Sequence, residues 1–236
     1  FSNAGIAIVA QNIGKQDKKG TSKATGQPYL VTVGIGLIST IVGIVFAKPI
    51  IFAIAGKESA EVIPYAIKYY IVDMIGLPLV FIINSTTAAM RAAGDSQFGM
   101  RAVLYMNIIN MVFDPLLIFG IGPFPKLGVT GAAWATNLGR FVAAALSIYH
   151  VASKKSAITL SKRDFIPDWK IIGLVFKLGV PSALGMSISS AGFAIIMKYV
   201  AMFGPTVISA YGIGNRVTNL VSMVSHGFSG AVSTMV

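Results

Sequence analysis

One apolar segment of helical length, Met100 to Ile121, carries two amides and a carboxylate at a fixed spacing: Asn107, Asn110 and Asp114, at i, i+3 and i+7. On an α-helix these three project from one face. Met111, Val112 and Phe113 precede the acid, and Pro115, Leu116, Leu117, Ile118 and Phe119 follow it. A carboxylate facing lipid at that depth costs about 2.5–3.5 kcal/mol on insertion scales. The face is therefore expected to point into protein or a cavity. Pro115 has no N–H to give to the Met111 carbonyl. A carboxylate, amide oxygens and a freed carbonyl make a hard-oxygen environment, suited to Na⁺ or to a held proton. The plainer alternative is a polar patch whose amides pack against a neighbouring helix.

A second apolar segment, Ala60 to Ala89, holds Tyr69, Asp73, Pro78 and Asn84. Tyr69 and Asp73 are one turn apart and share a face, with Lys68 as a partner for the acid. Pro78 predicts a kink, and Asn84 is a candidate cavity liner. Lys198 and Arg216 also fall at membrane depth, where a lysine can snorkel. His150 at a helix end and the solitary His226 read as packing residues. There is no HExxH, GxSxG or phosphate-loop pattern, so no enzyme and no cofactor is expected. The chain has no cysteine, which excludes thiolate metal sites. Energy coupling, if present, would draw on an ion gradient.

Composition sets what must position these residues. The chain has 236 residues, 55% hydrophobic and 11% charged, with mean hydropathy +0.75, whereas a soluble domain carries roughly 25% charged residues. The charges gather between long apolar runs, the pattern of an all-α polytopic transmembrane bundle. Spans are predicted over 28–55, 60–89, 100–121, 129–152, 169–202 and from 206 onward, with residues 1–13 closing an earlier helix. Gly14 to Gly26 reads as a polar loop, Arg91 to Gly99 and Gly122 to Gly128 as turns, and Gly56 to Ser59 as another connection. Gly pairs in Gly34 to Ser39 and Ala210 to Arg216 predict close helix packing. The chain starts and stops inside apolar runs and reads as an internal piece of a longer protein. Phe1 to Val9 and Phe228 to Val236 show a weak internal match.

The net charge of +11 is not a nucleic-acid footprint, because no basic stripe with interleaved aromatics exists. Lys15, Lys18, Lys19 and Lys23 lie in one connection, Arg91 and Arg101 in a second, and Lys154, Lys155, Lys162, Arg163, Lys170 and Lys177 around a third. The alternate connections hold Lys48, Lys57 and Lys126. Positive charge collects on the cytoplasmic side, so loops 14–26, 91–101 and 153–170 are expected in the cytoplasm of a multi-pass plasma-membrane protein. Lys154 to Trp169 is the long connection and the expected boundary between two bundles.

Val9 to Asp17 (VAQNIGKQD), Arg91 to Met100 (RAAGDSQFGM), Asn110 to Thr136 (NMVFDPLLIFGIGPFPKLGVTGAAWAT) and Lys177 to Leu184 (KLGVPSAL) resemble the multidrug and toxic compound extrusion (MATE) family. The resemblance implies twelve helices in two pseudo-symmetric lobes. This chain would supply about helices 2 to 8: an N-terminal lobe over 1–152, a linker over 153–168 and the start of a C-terminal lobe over 169–236. It further implies a coupling site in which Asn110 and Asp114 act with Thr136 on the next helix, as Na⁺ ligands if the protein is sodium-coupled. Asn84, Tyr69 and Asp73 are then candidate cavity residues. The first-helix acid of the family's site lies outside this sequence. Helix seven lacks the glutamate that some branches carry.

The expectation is an antiporter coupled to Na⁺ or H⁺. It would export cationic or amphipathic compounds by alternating access, as a monomer in membrane lipid, with no nucleic-acid partner. Its rivals are a flippase for lipid or lipid-linked polysaccharide precursors, and a membrane assembly subunit without transport. The flippase would want several cavity-facing cations, for which Lys198 and Arg216 are the candidates.

Overall fold

A computed structural model describes residues 8–9, 11, 18–55, 63–153, 162–202 and 205–232, and among them the regular structure is helix alone. The helices are α1 (Lys18–Val45), α2 (Ala47–Ala55), α3 (Ile63–Ile75), α4 (Leu77–Ala92), α5 (Ser96–Phe119), α6 (Val129–Ala152), α7 (Trp169–Ala201) and α8 (Pro205–Val232), with a short 3₁₀ turn at Lys162–Phe165 before α7. Large apolar side chains stand exposed along them, among them Ile38, Ile41 and Val45 on α1 and Met111 on α5. An apolar exterior of this extent suits hydrocarbon rather than water.

Among the described residues three helices are long and apolar enough to cross a membrane: Ser22–Val45, Gln97–Phe119 and Trp169–Met197. A fourth span forms if Ile63–Ile75 and Leu77–Ala92, bent by 40° at their junction, count together. The expected spans at 129–152 and from 206 are long helices, but less apolar than these. For α6 the reason is packing. Gly131, Ala133, Ala135, Asn137, Gly139, Ala143, Ala144 and Ser147 are buried, so the helix is built for helix neighbours rather than for lipid.

Gly131, Ala135, Gly139 and Ala143 recur at every fourth position of α6, a small-residue stripe that lets two helix backbones approach. A methyl group on Gly139 would come within 2.6 Å of the Met106 carbonyl oxygen, and one on Gly131 would strike the Leu117 carbonyl. These contacts set the antiparallel register of α5 and α6. Ile83 of α4 joins Ala143 and Ala144 of α6 in a buried cluster.

Helix Ser96–Phe119 starts within the expected turn 91–99, and two further differences concern the first span. Its helix begins at Lys18, inside the predicted polar loop 14–26, of which residues 14–17 lie outside the described residues. Tertiary contacts explain the extension: Ala24 and Val31 pack with Ile172 and Val175 of α7. Fully buried Gln27 donates to the carbonyls of Asp164 and Ile166, each at 2.8 Å, and accepts from the Asp168 amide at 2.9 Å. The second difference is a one-residue interruption at Phe46. Pro49 cannot bond the Val45 carbonyl, yet Phe46 N to Val42 O (2.9 Å) and Ile50 N to Phe46 O (3.0 Å) carry the turn through.

The Gly-pair expectation divides. Gly36 lies tight against the Phe81 ring, whereas Gly34, Gly212 and Gly214 have open space around them. Of the weak repeat, residues 1–7 and 233–236 lie outside the described residues.

Candidate functional site

The bend between α3 and α4 shows how this sequence handles polar backbone at membrane depth. Pro78 cannot donate to Met74, and Gly76 N turns to Asp73 O at 3.1 Å rather than to Val72. The Val72 and Met74 carbonyls therefore need donors from elsewhere, and Asp73 O takes a second one. The Thr40 hydroxyl of α1 donates to Met74 O at 3.0 Å, and the Asn137 amide of α6 donates to Val72 O. Arg140 Nη1 donates to Asp73 O at 3.2 Å. The predicted kink at Pro78 thus exists, centred on Gly76. A side chain at Gly76 would overlap the Asn137 amide, so this close approach requires glycine.

Arg140 does more than satisfy a carbonyl. Its Nη1 lies 2.8 Å from Asp73 Oδ1 and 3.1 Å from Asn137 Oδ1. The Asp73 partner is Arg140, not the expected Lys68. The sequence held the signal: an arginine inside the apolar run 129–152 demands a carboxylate at the same depth, and Asp73 was the unpaired candidate. Asn137, equally overlooked, reads from sequence only as one more polar residue in a small-residue helix.

The second cluster joins α5 to α6. Asn110 Nδ2 donates to Asp114 Oδ1 at 3.3 Å and to Thr136 Oγ1 at 3.1 Å. Thr136 in turn donates to Ala132 O at 2.9 Å. All three side chains are partly buried. The i, i+4 spacing of Asn110 and Asp114 places them on one face, and the small-residue packing of α6 brings Thr136 across. The structure thus assembles the expected trio. Two hydroxyl or amide oxygens beside a carboxylate can bind a small hard cation, or the carboxylate can hold a proton. Pro115 lies within an unbroken α5, whereas the chain bends at Gly76, between α3 and α4.

Other predicted residues stand apart. Asn107 and Asn84 are exposed, and Tyr69 is 37% exposed. Among the described residues none is hydrogen-bonded to the cluster. Arg216 is exposed on α8, and the side chains of Lys198 and His226 lie outside the described residues. His150 is more than filler: it stacks on Phe98 with ring centroids 4.4 Å apart, and its Nε2 lies 3.6 Å from Asp95 Oδ2.

Beside the bend is a cavity of about 470 Å³, lined by Ile75, Gly76, Leu79, Trp134, Asn137 and Phe141 among others. It is apolar apart from the Asn137 amide and lies in the size range of small-molecule sites.

Comparison with known proteins agrees with the geometry. The MatE family model matches residues 1–116. Over 235 residues the chain is 27% identical to the probable multidrug resistance protein YpnP of Bacillus subtilis, covering 100% of this chain and 51% of that protein. It is 28% identical over 193 residues to a FAD transporter of Shewanella oneidensis, covering 80% of this chain and 42% of the other. A crystal structure of a MATE transporter in the bent conformation superposes with a TM-score of 0.85 at 25% identity, covering 99% of this chain and 51% of that one. The chain spans about half the length of the curated relatives it matches.

Proposed function

On the likeness to the MatE family, whose model matches residues 1–116, and to a MATE transporter structure, we propose that the chain supplies the cation-coupling half of an antiporter. That antiporter exports cationic or amphipathic organic compounds in exchange for Na⁺ or H⁺. The observation that carries this reading is the Asn110 amide, which bridges Asp114 and Thr136 across two helices at 3.3 and 3.1 Å. Asp114 is the charge carrier: cation binding or protonation there competes with retention of a cationic substrate. Asn110 and Thr136 are its neutral ligands. No protein cofactor is involved, and the coupling ion is a transported species.

The placement that fits this role is a monomer in the plasma membrane, with the basic connections in the cytoplasm. The multidrug resistance names of relatives such as YpnP support the class of cargo. Asn84, Tyr69 and Asp73 were the sequence's cavity candidates. Asp73 is committed to Arg140, so in this reading it shapes the lobe, and Asn84 and Tyr69 remain free to meet substrate.

The test is Asp114→Asn in the full-length protein, which keeps the shape and removes the charge. Efflux of a cationic dye such as ethidium is lost while membrane abundance stays at the wild-type level. Undiminished, still cation-dependent efflux in that variant would falsify the reading.

A further inference from the structure

We infer that Arg140, held by Asp73, is a positioning residue for the Asn110–Asp114–Thr136 cluster; this rests on the antiport reading and deepens it. Arg140 lies one turn beyond Thr136 on α6, and i, i+4 residues share a helix face. Its Nη1 meets three oxygens at once: Asp73 O at 3.2 Å, Asp73 Oδ1 at 2.8 Å and Asn137 Oδ1 at 3.1 Å. Asn137 in turn holds Val72 O. Two consecutive carbonyls of the broken helix are therefore fastened to α6 within one turn of Thr136.

The consequence is geometric. Thr136 reaches Asn110 only at one rotation of α6 about its axis. The glycine stripe holds α6 against α5, and the Arg140 guanidinium holds it against α3 through Asp73. It also ties the 40° bend at Gly76 to the cluster, so opening the bend must break the Asp73–Arg140 pair and release α6. Outer residues that orient ligands typically alter ion affinity by about 10–100-fold when removed.

A distant charge effect makes the opposite prediction for one variant, which allows a clean decision. If Arg140 acted only through its field, Arg140→Gln would tighten cation binding and Asp73→Asn would weaken it. If it positions the cluster, both weaken it. The experiment measures dye efflux by the full-length protein across Na⁺ concentration and pH, with Arg140→Gln, Asp73→Asn, Arg140→Lys and Asp114→Asn in parallel. The expected result is a shift of about tenfold or more toward higher cation demand in both neutral variants. The half-saturating dye concentration changes little, and Arg140→Lys recovers part of the shift by keeping the ion pair. Tighter cation dependence in Arg140→Gln, or unchanged dependence in both neutral variants at wild-type abundance, overturns the inference. If the neutral variants do not accumulate, Arg140→Lys decides alone, through a raised or an unchanged cation demand. Normal transport by Asp114→Asn would instead bring down the antiport reading itself, so the two failures are distinguishable.

Discussion

Thr136 and Asn137 are consecutive on α6 and serve different neighbours: Thr136 receives the Asn110 amide of α5, while Asn137 donates to the Val72 carbonyl of α3. Adjacent residues on a helix point about 100° apart. A single helix therefore sits between the carboxylate cluster and the bent helix, and a rotation of α6 changes both contacts together.

The Thr136 hydroxyl is the replaceable part of the cluster. Thr136→Val keeps the shape and leaves the Asn110 amide one acceptor short. Cation demand for efflux rises by about tenfold, while Thr136→Ser, which keeps the hydroxyl, stays near wild type. Efflux measured against Na⁺ concentration and against pH checks both variants. Equal behaviour of Thr136→Val and wild type would remove the hydroxyl from the ligand set.

Close packing of α5 on α6 is exposed to a single methylene-sized intrusion. Gly139→Val drives a side chain toward the Met106 carbonyl, 2.6 Å from the first added carbon. Overpacking of this kind costs about 1–3 kcal/mol. The thermal midpoint of the purified full-length protein drops, whereas Gly34→Ala, which meets open space, leaves it nearly unchanged.

Gln27 fastens the segment just before α7 to α1 through three backbone hydrogen bonds. Gln27→Leu keeps the bulk and leaves two carbonyls and an amide without this partner, at about 1–3 kcal/mol for each group that stays buried and unsatisfied. Gln27→Glu is also harmful, because a carboxylate accepts from Asp168 N but repels the two carbonyls. Limited proteolysis between residues 153 and 168, faster in both variants, reads the loosened connection.

A second contact at this place depends on pH. Lys23 Nζ lies 2.8 Å from Asp168 Oδ2, and this hydrogen bond is the main reason that the Asp168 carboxyl titrates below its ordinary value of 3.8. A depressed native pKa means that the stabilisation is fully present above the ordinary value and is lost as pH falls through the lower native one. Wild type thus loses an attachment in acid that Lys23→Met never has. Proteolysis rates of the two converge at the acid end and separate above about pH 4. A constant ratio across that range would show that the pair contributes nothing.

What the sequence determined alone is what one helix can encode. The spacing of Asn110 and Asp114 fixes a shared face whatever surrounds it, and an apolar run of span length with few charges can only be satisfied by helix in a bilayer. Pro78 announced a break because its missing N–H is a property of the residue. The partners across helices were decided by the tertiary structure. Asp73 pairs with Arg140, 67 positions away, rather than with Lys68, because residues five apart on a helix point about 140° away from each other. The start of α1 at Lys18 depends on Gln27 meeting a segment more than a hundred residues distant. Likewise Thr136 joins Asn110 because a stripe of glycine and alanine brings two backbones together. Local spacing sets where a side chain can point, and only packing of helix on helix decides what it finds there.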